Sequence, residues 1–230
     1  MKQYDVTALG ELLIDFTESG TSASGNRLLE ANPGGAPCNV LSMLQKLGRH
    51  TAFIGKVGRD AFGDMLEETL AEAGISTAGL KRDERVHTTL AFVHTLAEGE
   101  RSFSFYRNPG ADMRLCAGDL EDDLLSSCRI FHFGTLSLTD ESCREATQAA
   151  VSRAKQAGAL LSFDPNLRES LWDSLEHARE QIAWGLSQCD ILKISDNELA
   201  FMTGTEDFDA GAEMIRQEYP QIRLMNVTAG

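Results

Sequence analysis

Short apolar runs and helical stripes take turns along this chain. Val6–Ile14 reads as an opening strand, and Thr51–Ile54, Ile130–Phe133, Leu160–Phe163, Ile191–Ile194 and Ile222–Val227 read as further strands. Between them Val40, Met43, Leu44 and Leu47 recur at i, i+3, i+4 and i+7, the spacing of one helical face. Phe62, Met65, Leu66 and Leu70 mark a second helix closed by Gly74. Ala146, Ala149, Ala150 and Ala154 form the packing stripe of a third, ending at Gly158, and a fourth runs from about Ser174 to Leu186. Strands alternating with helices predict βαβ units and a mainly parallel sheet, an α/β fold. No repeat, low-complexity segment or Pro- and Gly-rich linker marks a second independent domain, so residues 1–230 are expected to form one unit.

Two regions break this rhythm. Phe16–Ala31 is polar and turn-rich. Thr88–Tyr106 instead reads as two alternating strands, Thr89–His94 and Ser102–Tyr106, joined by Ala97-Glu-Gly-Glu100, a hairpin signal. A hairpin in an α/β chain either covers something, as a lid does, or extends the main sheet as an edge meander.

Composition narrows the partners. With 42% hydrophobic and 24% charged residues the chain is an ordinary globular one. A net charge of −14 argues against nucleic acid or an anionic membrane surface as partner, although a few local Arg residues and helix N-termini suffice for a phosphate-bearing ligand. The five cysteines (38, 116, 128, 143 and 189) are scattered and form no Cys-x-x-Cys pair, so they read as reduced, mostly buried side chains. The N-terminus runs straight into a strand without a long apolar region, which makes the cytosol the expected compartment.

The candidate chemistry gathers at strand ends and at one glycine pair. Gly34 and Gly35 carry no Cβ and precede the first helix, whose N-terminal N–H groups can receive an electron-rich group. Asn39 falls in the first turn, placed to add a side-chain amide. Asp15 ends an apolar run, at the carboxyl end of a strand where open α/β sheets bind ligands; it would serve either as a turn-former or as an acceptor for two neighbouring hydroxyls. Asp164-Pro-Asn166-Leu-Arg168 leaves another strand the same way. The planar fork of Arg168 suits a phosphate, or else a surface pair with Glu169 or Asp173. Glu198 is either a solvated first-turn acid or an oxygen ligand. His87, His94, His132 and His177 share no metal-motif spacing, and neither a Walker-A nor a Rossmann glycine fingerprint is present.

Taken in order, Gly10-Glu-Leu-Leu-Ile-Asp15-Phe, Asn32-Pro-Gly-Gly-Ala-Pro-Cys-Asn39, Ile54-Gly-Lys-Val-Gly-Arg-Asp-Ala-Phe-Gly63, Phe105-Tyr-Arg107-Asn-Pro-Gly-Ala-Asp112-Met, Asp164-Pro-Asn166-Leu-Arg168 and Lys193-Ile-Ser-Asp-Asn-Glu198 resemble the ribokinase/PfkB-type carbohydrate kinases, and the fructokinase branch above all. The resemblance implies a ribokinase-like three-layer α/β/α fold with a small β lid drawn from about residues 16–33 and 86–113. It implies ATP-dependent phosphorylation of a primary hydroxyl, with fructose the first candidate and 2-keto-3-deoxygluconate or ribose the alternatives. Asp15, Gly34, Gly35, Asn39, Arg107 and Asn166 would hold the sugar. Arg168 would face the transferred phosphate, and Glu198 would help place the nucleotide and Mg2+, through water. Ser195 stands where the family's Asn-x-x-Glu element has its Asn. A homodimer through the lid, residues 88–106, is the implied assembly. The family's Gly-Ala-Gly-Asp turn, with the catalytic Asp and its anion-binding amides, does not occur in these 230 residues. The expectation is therefore a C-terminally truncated kinase, inactive by itself, with a sugar-binding remnant as the alternative. Intact Asp15, Gly34, Gly35, Asn39 and Arg168 favour truncation.

Overall fold

The computed structural model describes residues 2–95 and 101–229. In chain order the elements are β1 (Tyr4–Leu9), β2 (Leu13–Thr21), β3 (Arg27–Gly34), α1 (Ala36–Lys46), β4 (Thr51–Gly58), α2 (Ala61–Glu72), β5 (Ser76–Asp83), β6 (Leu90–Thr95) and β7 (Arg101–Tyr106). There follow α3 (Asp122–Ser126), β8 (Cys128–Gly134), α4 (Glu141–Gln156), β9 (Leu160–Asp164), α5 (Leu175–Gln188), β10 (Ile191–Ser195), α6 (Asp196–Thr203), α7 (Phe208–Glu218) and β11 (Leu224–Thr228).

Seven strands form one parallel sheet in the order β11-β10-β9-β8-β1-β4-β5. Alternation along each strand feeds two cores. Leu9, Ile54, Phe131, Phe133 and Phe163 pack toward α4 and α5, while Val6, Ala8, Phe53 and Val57 pack with Leu41 of α1 and Leu66 of α2. Helices cover both faces around β1 and β4, the three-layer arrangement. Farther along the sheet the cover is uneven: Leu161, Phe163, Leu192 and Ile194 are buried, whereas their opposite-facing neighbours Leu160, Ser162, Ile191 and Lys193 are only half-buried.

A second, four-stranded sheet in the order β3-β2-β6-β7 stands over the carboxyl ends of these strands. It draws on Leu13–Gly34 and Leu90–Tyr106, so the polar stretch from Phe16 to Ala31 is mostly strand, not loop. Solvent on one side of a strand permits the polar residues that disguised it. β6 and β7 pair antiparallel, as a hairpin requires; the joining segment Ala97-Glu-Gly-Glu100 lies outside the described residues.

Two sequence expectations need correction. Val6–Ile14 is not one strand: β1 ends at Leu9 and β2 begins at Leu13 in the other sheet. The crossing itself is buried, with Leu12 at 2% exposure, so the apolar pattern runs through the break unchanged. The second concerns α1, which forms but turns its other face inward. Pro37, Cys38 and Leu41 are buried, while Met43 and Leu47 are 57% and 65% exposed. The helix carries two apolar stripes, and periodicity cannot choose between them.

Candidate active site

The lid returns to the main body through a glycine pair, Gly34 and Gly35, at the start of α1. Gly35 caps α1 with φ 120°, ψ 122°, a conformation closed to L side chains. A Cβ here would overlap the carbonyl oxygen of Glu11, and one on Gly34 would overlap Oδ2 of Asp15. The glycine pair thus lets two acidic residues approach the backbone. Glu11 Oε1 accepts the Ala36 N–H at 2.8 Å, and Pro37 has no N–H to offer, so the helix start presents fewer free donors than an open N-terminus would.

These groups border a cleft of about 570 Å³ between the lid and the carboxyl ends of the main strands. Glu11, Leu13, Asp15, Thr17 and Asn32 line it from β2, β3 and the crossing before them, and Gly35, Ala36 and Asn39 from the start of α1. Val93, Phe103 and Phe105 close it from the hairpin, and Leu136, Asn166 and Arg168 from the ends of β8 and β9. Strand register explains the set: Asp15 pairs with Asn32 and Ala91, Thr17 with Val93, and Ala91 and Val93 with Phe105 and Phe103, so one face of the lid looks into the cleft. The other face carries the stacked Phe16 and Phe92, with Phe62 of α2 edge-on against Phe16.

Burial raises the Asp15 carboxyl above its ordinary range, and the nearby Arg168 charge pulls it back down. Glu11 is pushed much further, to about 7, because burial outweighs the N–H groups it accepts. Asn166 has φ 44°, the one positive φ outside glycine among the described residues, and Asn tolerates that region best of the coded L residues. Its N–H donates to Asp164 Oδ1 at 3.2 Å, a short side-chain turn that lifts Asn166 and Arg168 over the sheet edge. Arg168 donates to the Leu167 carbonyl at 3.1 Å and lies 5.3 Å from the centre of the Phe103 ring, so this end of the cleft touches the lid.

The cleft therefore brings together Asp15, Gly35, Asn39, Asn166 and Arg168, with Gly34 directly behind Asp15. Two expected residues are placed elsewhere. Arg107 is buried: it donates to Asp112 Oδ2 at 2.7 Å, to the Thr139 hydroxyl at 2.8 Å and to the Leu136 carbonyl at 2.9 Å, and it does not line the cleft. Its guanidinium locks the end of the lid onto the main body, which leaves no fork for a sugar. Glu198 is also buried, with one oxygen accepting the Leu167 N–H and the other the Ser195 N–H, both at 2.8 Å. It completes a capping box with Ser195 and pins the loop that carries Arg168. With both oxygens engaged, direct metal coordination does not fit it. Among the described residues no three His, Cys, Asp or Glu side chains converge as a metal site.

Sequence reasoning missed Glu11, Asp112 and the cleft-facing Phe103 and Phe105. Glu11 left a signal, a lone charge inside an apolar run between Gly10 and Leu12. Asp112 left none that separates a buried partner from a turn residue.

A model of the pfkB family of carbohydrate kinases matches residues 3–230. A protein of Arabidopsis thaliana named probable fructokinase-2 is 46% identical over 227 residues, spanning 98% of this chain and 69% of that one. Among solved structures, fructokinase of Xylella fastidiosa with bound ATP superposes with a TM-score of 0.86 at 36% identity, covering 99% of this chain and 72% of that one. A fructokinase double mutant of Vibrio cholerae in a fructose-, ADP- and potassium-bound form gives 0.85 at 29% identity, covering 99% and 71%.

Proposed function

Because the chain belongs to the pfkB family of carbohydrate kinases, we propose that it phosphorylates fructose at a primary hydroxyl, taking the γ-phosphoryl group from ATP. The observation that carries the choice of sugar is the polarity of the cleft. It offers Asp15 and Asn32 from the lid and Asn39 from α1, while Arg107, the cation an acid sugar would need there, is held by Asp112. A neutral polyol gives its hydroxyl protons to such acceptors. The carboxylate of 2-keto-3-deoxygluconate would meet like charge. Asp15 takes two sugar hydroxyls, Gly34 makes room for it, and Asn39 and Asn166 set the ring's orientation.

Arg168 faces the transferred phosphate, its fork spreading the charge that develops on the equatorial oxygens. The bond from the γ-phosphorus to the bridging oxygen breaks as the sugar oxygen attacks, ADP leaves, and the hydroxyl proton goes to the Asp of the family's Gly-Ala-Gly-Asp turn, which does not occur in these 230 residues. Magnesium belongs to the proposal as a counter-ion of the nucleotide phosphates, which Glu198 reaches only through water. Titration calorimetry tests the sugar: fructose should bind at least ten-fold more tightly than 2-keto-3-deoxygluconate, and the reverse order would reassign the substrate.

The assembly proposed is a homodimer through the lid. The support is its outer face, where Tyr106 is 66% exposed and Leu29 is 45% exposed. Phe103 looks into the cleft, so Tyr106→Asp is the variant that probes pairing: light scattering should report a dimer that this change converts to monomer. A native chain that runs as a monomer refutes it. The cytosol is the proposed compartment, supported by five cysteines all free, four of them buried; no helix among the described residues is long and apolar enough to cross a membrane.

A further inference from the structure

Glu11 stands where two chain segments pass each other. Residues 10–12 carry the chain out of the main sheet into the lid, and residues 34–36 bring it back. The two segments interlock: Glu11 Oε1 accepts the Ala36 N–H at 2.8 Å, the Glu11 carbonyl occupies the space beside Gly35 that a Cβ would need, and Gly10 packs under the Pro37 ring. The side chain is 4% exposed, yet it borders the cleft on one side and a small void under α1 on the other.

We infer that Glu11 is a positioning residue for the sugar site: its carboxylate holds the Ala36 amide and so fixes the Gly34–Gly35 turn against Asp15 and beside Asn39. The sugar is not its partner; the turn is. A carboxylate grips an N–H more strongly than a carboxylic acid or amide does, so the grip depends on ionisation. The groups around it are Arg107 and Asp112 after β7, Cys38 on α1, His132 on β8 and Asp164 at the end of β9, with Asp15 and Arg168 across the cleft. Burial holds His132 down at about 4 and pushes the Cys38 thiol up, so both stay neutral near pH 7, and Arg107 and Asp112 neutralise each other. Glu11 itself, at about 7, titrates in the working range. The inference rests on the proposed sugar site for what the turn serves, but the clamp has a readout of its own.

The test uses the whole chain, ¹⁵N-labelled, with E11Q and E11A. The Ala36 amide shift should titrate between pH 5 and 9 with a midpoint near 7 in the native protein and stay flat in E11Q, which keeps an acceptor and the shape. Native fructose affinity should rise through the same window. E11Q should bind with a flat profile, and E11A should bind roughly ten-fold more weakly than native at pH 8, the loss of one charge-assisted hydrogen bond. An Ala36 amide that does not titrate in the native protein overturns the clamp, as does a native-like pH profile in E11Q. A titrating Ala36 in a protein that binds no fructose upholds the clamp and sinks the substrate assignment instead. Should E11A fail to fold, the comparison with E11Q still decides.

Discussion

The two ends of the cleft are built by opposite means. At the end proposed for the sugar, acidic residues are pressed against backbone that has no side chain: the Asp15 carboxylate against Gly34, and the Glu11 main chain against Gly35. At the end proposed for the phosphate, Arg168 is half-buried on a loop, and among the described residues its guanidinium meets a neighbouring carbonyl and an aromatic ring. The rigidity of that end lies one layer back, in Glu198, which holds the loop by its Leu167 amide. A neutral sugar offers weak, directional hydrogen bonds, and only acceptors fixed in advance discriminate among its hydroxyls. A polyphosphate brings its own strong field, so a cation on a supported loop suffices.

That contrast breaks most visibly at Gly35. Gly35→Ala places a Cβ on the Glu11 carbonyl at a φ of 120°. The combined strain and overlap should cost roughly 2–5 kcal/mol, read from urea unfolding. Fructose affinity should fall with it while ATP binding persists, and equal losses of both would mean that the two ends are one mechanical unit.

Next in size is the proton linkage of Glu11. Its carboxyl rises from an ordinary 4.5 to about 7 on folding. The folded chain therefore holds a proton that the unfolded chain has released between these values, and stability falls as pH rises through that window. The difference approaches roughly 3 kcal/mol at pH 8. Glu11→Gln should remove this slope, making the variant more stable than the native chain at pH 8 but not at pH 4. Matching melting profiles across pH would dismiss the buried-carboxylate account. This fits a group kept for its site and not for the fold.

The smallest effect is expected at the phosphate end. Glu198→Gln keeps one acceptor but turns an NH2 toward a backbone N–H, which should cost roughly 1–2 kcal/mol. Hydrogen exchange at Leu167 should accelerate while exchange at Ala36 stays as it was. Acceleration at both sites would erase the distinction between the ends.

Much of this molecule was legible in the chain because its burial is periodic. Strands β4, β8, β9 and β10 are short apolar runs, and α2, α4 and α5 carry single stripes, so period alone places them. Asp15, Gly34, Gly35, Asn39, Asn166 and Arg168 were legible because strand ends and glycine turns are where such a sheet meets ligands. The misses have physical causes. Arg107 was sought in the cleft, yet a charged side chain with enough internal partners can be fully buried, and sequence does not count partners. Glu11 was overlooked because its use depends on a segment 25 residues away. The outward stripe of α1 misled because two apolar stripes look alike until one of them finds a neighbour.

The lid joins the main sheet through four chain crossings, and each is fastened. Glu11 secures the first two, Thr88 donates its N–H to Asp60 at 2.8 Å at the third, and Arg107 donates to the Leu136 carbonyl at 2.9 Å at the fourth. A door on one hinge swings; a panel fixed at four corners can only flex. Closure over the proposed sugar is therefore expected as torsion of the lid strands about their own axes, with Asp15, beside the fastened crossings, displaced least. On that expectation the end proposed to recognise the sugar is the still one.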